Sequence, residues 1–258
     1  MKRSLPARKK ASHKGDYGKV LIVAGSRGML GAGVLATRAA LRTGSGLVYW
    51  AVPDDLVNYA NTITPEVIVV SLRDVNKVTP DAVAIGPGID QKLDVNEIIQ
   101  QFTLPPAAIV IDATALPQLK AFAGRAIITP HPGEMAALLG LTVEAVQANR
   151  RGIALQAALK FGAVVVLKGH QTVIAEPEGK VVINKSGNPG MATAGAGDVL
   201  TGMIASLAGQ GLPAWNAAVT GVNLHGRAGD LAARRIGEPA LIASDIIEQI
   251  GYAIQKSH

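Results

Sequence analysis

Short runs of β-branched and aliphatic residues alternate along this chain with longer stretches whose apolar positions recur every three or four residues. The runs at 19–24, 47–52, 82–85, 108–112, 126–128 and 163–167 are apolar almost throughout. Such loss of strict alternation marks strands covered on both faces, as in a parallel sheet. Helical periodicity predicts helices over about 32–43, 93–101, 117–123, 133–139, 143–160, 198–209, 214–235 and 243–255, several of them opened by Thr, Asp or Pro. Residues 172–175 and 181–183, joined by Glu178-Gly179-Lys180, read as a late hairpin. Strands and helices taking turns predict a three-layer α/β/α sandwich with a mainly parallel central sheet. The chain reads as one domain over 1–258, with a basic segment at 1–14.

In an open parallel sheet, ligands bind beyond the carboxyl ends of the strands. The Gly-rich or polar segments that follow strands here are 25–33, 86–88, 112–114, 129–134, 168–172 and 188–198, and all should meet on one rim. The last ends in Gly195-Ala196-Gly197-Asp198 and runs into a helical pattern. Gly195 and Gly197 let the backbone turn tightly and approach a ligand, so that amide groups and the positive end of the helix face negative charge. A carboxylate at that spot repels phosphate unless it has a task. Asp198 is therefore either a plain helix cap or a base that takes a proton from a hydroxyl attacking phosphorus.

Other positions narrow the chemistry. Gly31-Ala32-Gly33 follows a strand and opens a helix, but its glycines begin several residues too late for a dinucleotide-binding fingerprint. Close helix packing and substrate contact remain alternatives for that loop. No Gly-x-x-x-x-Gly-Lys-Ser/Thr cradle and no protein-kinase signature set occur. Lys168 ends an apolar strand and precedes Gly169, which would aim its ammonium at the rim; that it simply reaches water, as strand-end lysines usually do, stays the alternative. His131 stands between Pro130 and Pro132, which restrict its backbone. His225 lies inside a helical pattern and reads as a packed structural residue.

A net charge of +6 and a pI near 9.6 suit a polyanionic ligand without choosing which. The basic cluster Lys2, Arg3, Arg8, Lys9, Lys10 and Lys14 has only Tyr17 near it to stack on a base, so it reads as a solvated tail and no nucleic-acid partner is expected. No stretch reaches the roughly 18 apolar residues that span a bilayer, and no secretory signal is present, so no membrane partner and a cytoplasmic location are expected. The absence of cysteine excludes disulfides and thiolate chemistry. The 5 histidines show no metal spacing.

The chain resembles the ADP/ATP-dependent NAD(P)H-hydrate dehydratases of the ribokinase-like superfamily. The likeness runs from His13-Lys14-Gly15-Asp16-Tyr17-Gly18 to Leu224-His225-Gly226. It rests above all on Thr129-Pro130-His131-Pro132-Gly133-Glu134 and Gly187-Asn188-Pro189-Gly190-Met191-Ala192-Thr193. The resemblance implies repair of hydrated NADH or NADPH: ADP phosphorylates the ring hydroxyl, and phosphate then leaves. It implies that Asp198 is the base and that Ala32, Gly88, His131 and Asp198 contact the hydrated dinucleotide. Lys168, Gly169, His170, Gln171, Thr172 and Gly197 would contact ADP, and the amides of Gly195, Ala196 and Gly197 would offset charge on the migrating phosphoryl group. Mg2+ is implied with the donor phosphates, and a homo-oligomer, a tetramer, as the assembly. An N-terminal epimerase domain is not expected here, so epimerisation would fall to a separate protein or occur spontaneously. Two departures stand out: Thr114 where the family usually has Asp, and Ala196 where it more often has Ser or Thr. The second favours an alternative, a small-molecule kinase of the hydroxyethylthiazole or hydroxymethylpyrimidine type.

Overall fold

The structure, a computed structural model, describes residues 8–102, 107–119 and 126–256. Strand β1 (Lys19–Val23) shows why the sheet forms: every side chain after Lys19 is buried, so both faces must be covered. The strands β2 (Leu47–Val52), β3 (Ile68–Ser71), β4 (Ala82–Ile85), β5 (Ala108–Ile111), β6 (Ala126–Ile128) and β7 (Val164–Leu167) are parallel to it. The hairpin strands β8 (Val173–Ala175) and β9 (Val181–Ile183) continue the sheet antiparallel. The order is β3-β2-β1-β4-β5-β6-β7-β8-β9, in one sheet of 9 strands.

Parity divides the core, because successive strand side chains point to opposite faces. Leu21, Val23, Ile85, Ile111, Ile128 and Leu167 lie on one face. They meet helix α4 (Pro132–Leu139) through Met135 and helix α6 (Arg150–Phe161) through Ala154 and Ala158. Val20, Ile22, Val110, Ile127 and Val166 lie on the other, under helices α1 (Leu30–Thr43), α7 (Ala196–Gly209) and α8 (Ala214–Ile236). Helix α9 (Ala243–Gln255) packs Ile246 and Ile250 beside Met203 and Leu224.

Small residues set how closely the second layer sits. A Cβ on Gly202 of α7 would lie 2.0 Å from the Ala36 carbonyl oxygen of α1, so only glycine permits this crossing. A Cβ on Gly33 would lie 2.4 Å from the indole of Trp50, which donates from Nε1 to the Ala24 carbonyl at 2.8 Å. Gly33 thus serves packing, one of the two alternatives for its loop.

Four expectations change. Strand β3 and helix α2 (Val57–Ile63) lie outside the predicted elements; β3 is an edge strand, and Ile68, Tyr59 and Ile63 are exposed. The helix expected over 143–160 is two, α5 (Val143–Ala148) and α6, broken at Asn149, whose side chain accepts from the Gly152 amide. The helix expected over 117–123 is, in its described part, a 3-10 turn Ala113–Gln118, and residues 120–123 lie outside the described residues. The basic segment is docked where it is described: Arg8 stacks 4.2 Å from the Tyr17 ring and donates to the Gly44 carbonyl. Helix α3 (Val95–Gln100) completes the set near its expected position.

Candidate active site

Helix α7 begins at Gly195, whose left-handed φ of 86° no side chain adopts readily. A Cβ there would also strike Leu35 of α1 at 2.3 Å. No side chain caps this helix. The Ala196 amide donates back to the Thr193 carbonyl at 3.3 Å and the Val199 amide to Gly195, which leaves the amides of Gly197 and Asp198 as the outward donors of the first turn. Such a helix end attracts anions.

Asp198 stands at that end. Burial, and then the neighbouring Asp112 carboxylate, raise its pKa to about 7, against the opposing pull of Lys168. A carboxyl group so poised exchanges a proton near neutrality.

Asp112 leaves β5 at 1% exposure, and both its oxygens are held. Oδ1 pairs with Lys168 Nζ at 2.6 Å, and Oδ2 accepts from Thr201 Oγ1 at 2.7 Å. Lys168 leaves β7 and also faces Glu134 Oε2 at 3.8 Å. Burial alone would depress the ammonium, but Asp112, Glu134 and Asp198 together raise its pKa, so it stays charged. A Cβ on Gly197 would lie 3.5 Å from Lys168 Nζ and 4.0 Å from Asp112 Oδ2. Lys168, Asp112, Gly197 and Asp198 therefore converge.

His131 and Glu134 form the reciprocal cap of α4. His131 Nδ1 accepts from the Gly133 and Glu134 amides at 3.0 and 3.1 Å, and Glu134 Oε2 accepts from the His131 amide at 2.6 Å. With Nδ1 accepting, the neutral ring carries its proton on Nε2, on a side chain that is 55% exposed. Ala32 and Gly88 touch across the rim: a Cβ on Gly88, whose φ is 62°, would lie 3.0 Å from Ala32 Cβ. Leu35, one turn beyond Ala32, carries this edge to Gly195.

The 168–172 loop is tied at its base. The Lys168 amide donates to the Pro130 carbonyl at 2.9 Å, Thr172 Oγ1 donates to the Gly169 carbonyl, and Gln171 has a φ of 54°. Arg150 of α6 donates to the carbonyls of Leu167 and Lys168 at 2.9 and 3.1 Å. His170 and Gln171 are exposed. A cavity of about 240 Å³ between the hairpin and α8, lined by Ile174, Val182, Asn184, Ser186 and Asn223, adjoins this loop, because the Asn184 amide donates to the Thr172 carbonyl. His225 lies behind the start of α7: burial, with the Lys168 charge, lowers it to about 4 against a hydrogen bond to the Ala196 backbone, so it is neutral at pH 7. Sequence reasoning missed Thr201, Arg150 and the pairing of Asp112. Their partners lie far along the chain, and only Asp112, at a strand exit, carried a local signal.

A family model described as NAD(P)H-hydrate dehydratase matches residues 20–251. The chain belongs to the NAD(P)H-hydrate dehydratase family. Among curated members of the family, the bifunctional NAD(P)H-hydrate repair enzyme of Moorella thermoacetica is 43% identical over 97% of this chain and 52% of its own length. The chain thus spans about half the length of the first curated relatives it matches. The ADP-dependent (S)-NAD(P)H-hydrate dehydratase of Neisseria meningitidis is 40% identical over 93% of this chain and 86% of that relative. Among solved dehydratases, the ADP/ATP-dependent NAD(P)H-hydrate dehydratase of Bacillus subtilis, co-crystallised with ATP/Mg2+, superposes with a TM-score of 0.89 at 32% identity, over 100% of this chain and 96% of that one.

Proposed function

We propose that this protein is a hydro-lyase that repairs hydrated NADH and NADPH at the expense of ADP, releasing AMP and phosphate. The observation that carries the reading is the placement of Asp198, poised near neutrality, in the first turn of α7 beside its outward amides and within the pull of the Lys168 ammonium. Asp198 takes the proton of the ring hydroxyl, and the oxygen forms a bond to the β-phosphorus of ADP as the bond to AMP breaks. The Gly197 and Asp198 amides and Lys168 face the charge on the migrating group. The ring nitrogen's electron pair then expels phosphate, and loss of a ring proton restores the reduced nicotinamide.

Ala32, Gly88 and the half-exposed ring of His131, whose Nε2 lies 3.5 Å from Glu134 Oε1, would hold the dinucleotide. Lys168, Gly169, His170, Gln171 and Thr172 would hold ADP, with the cavity behind Thr172 open to its base. The residues present do not form a cage for a resident metal: among the described residues no three His, Asp or Glu are grouped so that they could hold a metal ion, and Asp112 is already engaged by Lys168 and Thr201. Mg2+ would instead enter with the phosphates of the donor, where it keeps most of its water. The reading carries with it residues 1–258 as one domain, a cytoplasmic location and a homotetramer, the last of which light scattering on the purified protein checks.

The test is recovery of NADH absorbance from its hydrate with purified protein, ADP and Mg2+. Wild type should restore it, and Asp198→Asn should bind ADP but turn over at least 1,000-fold more slowly, the scale of losing an essential base together with its orientation (~10³). No ADP-dependent recovery by wild type refutes the proposal. Ala196, which lacks a hydroxyl, favours a second reading as a small-molecule kinase, and a stable phosphorylated vitamin precursor would mark it.

A further inference from the structure

Thr201 lies three residues beyond Asp198 on α7 and is wholly buried. A threonine inside a helix ordinarily turns its hydroxyl back to the carbonyl one turn earlier. Thr37 and Thr43 of α1 do so, donating to the carbonyls of Gly33 and Ala39 at 2.8 Å each. Thr201 does not: its hydroxyl leaves α7 and reaches Asp112 Oδ2, 89 residues away in sequence. The other oxygen of that carboxylate holds Lys168. With one oxygen held, the carboxylate plane could rotate about its last side-chain bond; with both held, it is fixed.

We propose that Thr201 is a positioning residue for phosphoryl transfer, which locks the Asp112 carboxylate and through it sets the Lys168 ammonium beside Gly197. The inference rests on the function proposed above. A buried carboxylate oxygen left without a donor is costly. Without the hydroxyl, Asp112 turns both oxygens toward Lys168 and draws the ammonium away from the end of α7. Lys168 then still neutralises Asp112 but no longer faces the migrating group, so the rate of the chemical step falls more than donor affinity.

Thr201→Val keeps the volume and removes the donor, whereas Thr201→Ser keeps the donor and removes a methyl group. The Val variant should lose about tenfold or more in kcat while KM for ADP changes less than about threefold, and the Ser variant should recover most of the lost rate. Far-UV circular dichroism and thermal unfolding establish that both variants fold. Wild-type kcat in the Val variant, or a Ser variant as slow as Val, overturns the proposal. Crystal structures of the same two variants separate this outcome from failure of the dehydratase reading. Lys168 Nζ should shift away from Gly197 in the Val variant and return in the Ser variant, and an unmoved ammonium overturns the proposal even if wild type shows no ADP-dependent turnover.

Discussion

Asp198 is a carboxyl group whose ionised form the fold disfavours, and this has two measurable effects of opposite sense. Acting as a base it must be deprotonated, so with a pKa raised to about 7 by burial and by Asp112, kcat/KM should climb between pH 6 and 8 and level off above. An ordinary aspartate would give a flat profile there. For stability the sign reverses. The folded protein holds this proton more tightly than the unfolded chain, so the contribution of this group falls as pH rises from about 4 to about 7. Asp198→Asn, inactive as argued above, should therefore unfold later than wild type at pH 8, by on the order of 2–4 kcal/mol in chemical denaturation. Equal stability of the two at pH 8 would contradict the burial argument. The identity of this residue was legible in the sequence, because a lone acid after Gly-Ala-Gly at a helix start stands in conflict with an anion site. Thr201 was not, because a threonine between Leu200 and Gly202 looks like any helix-interior residue until its distant partner is seen.

At the level of the elements, the strands were legible wherever both faces are covered, since a short, unbroken apolar run between turn residues fits a doubly covered strand and little else. Strand β3 escaped although Val67-Ile68-Val69-Val70 is an unbroken apolar run; it lies at the edge of the sheet, with Ile68 exposed. Helix α2 escaped because its exposed Tyr59 and Ile63 blur any apolar stripe. The break at Asn149 was hidden by the good helical pattern on either side, although an asparagine three residues before Gly152 is a recognisable cap. Helix contacts were less legible still. Gly202 looks like a weak point in α7, yet it is what lets α1 approach. Gly202→Ala should push these helices apart and cost about 1–3 kcal/mol despite the higher helix propensity of alanine, and thermal denaturation checks it. The shift should carry over to activity, because α1 bears Ala32 and α7 bears Asp198. A variant as stable as wild type would show that the helices can yield without cost.

The whole molecule brings site residues together from four strand exits and two helices of the second layer. That convergence follows from parallel strands, whose carboxyl ends share one rim, and so the set of rim loops could be drawn up from sequence alone. Which loops touch required the strand order, in which β1 lies between β2 and β4 and so places Gly25 beside Pro87. Because ADP would tie the 168–172 loop to α7, its binding should stabilise the folded state as a unit. At a hundredfold excess over Kd the gain is about 2.7 kcal/mol, read as a higher Tm that depends on ADP concentration. A Tm indifferent to ADP would argue against a nucleotide site here.

Helix α7 arrives late in the chain but covers strands made early. Gly209 sits against Val20 of β1, and Leu200 and Ile204 join the cluster that holds Ile22, Ala84 and Val110. On the ribosome, strands β1 to β4 therefore emerge with one oily flank covered only in part, by α1, waiting for the rest of its cover to be translated. Ribosomes stalled before that cover has left the exit tunnel should carry nascent chains that protease cuts readily and holdase chaperones retain.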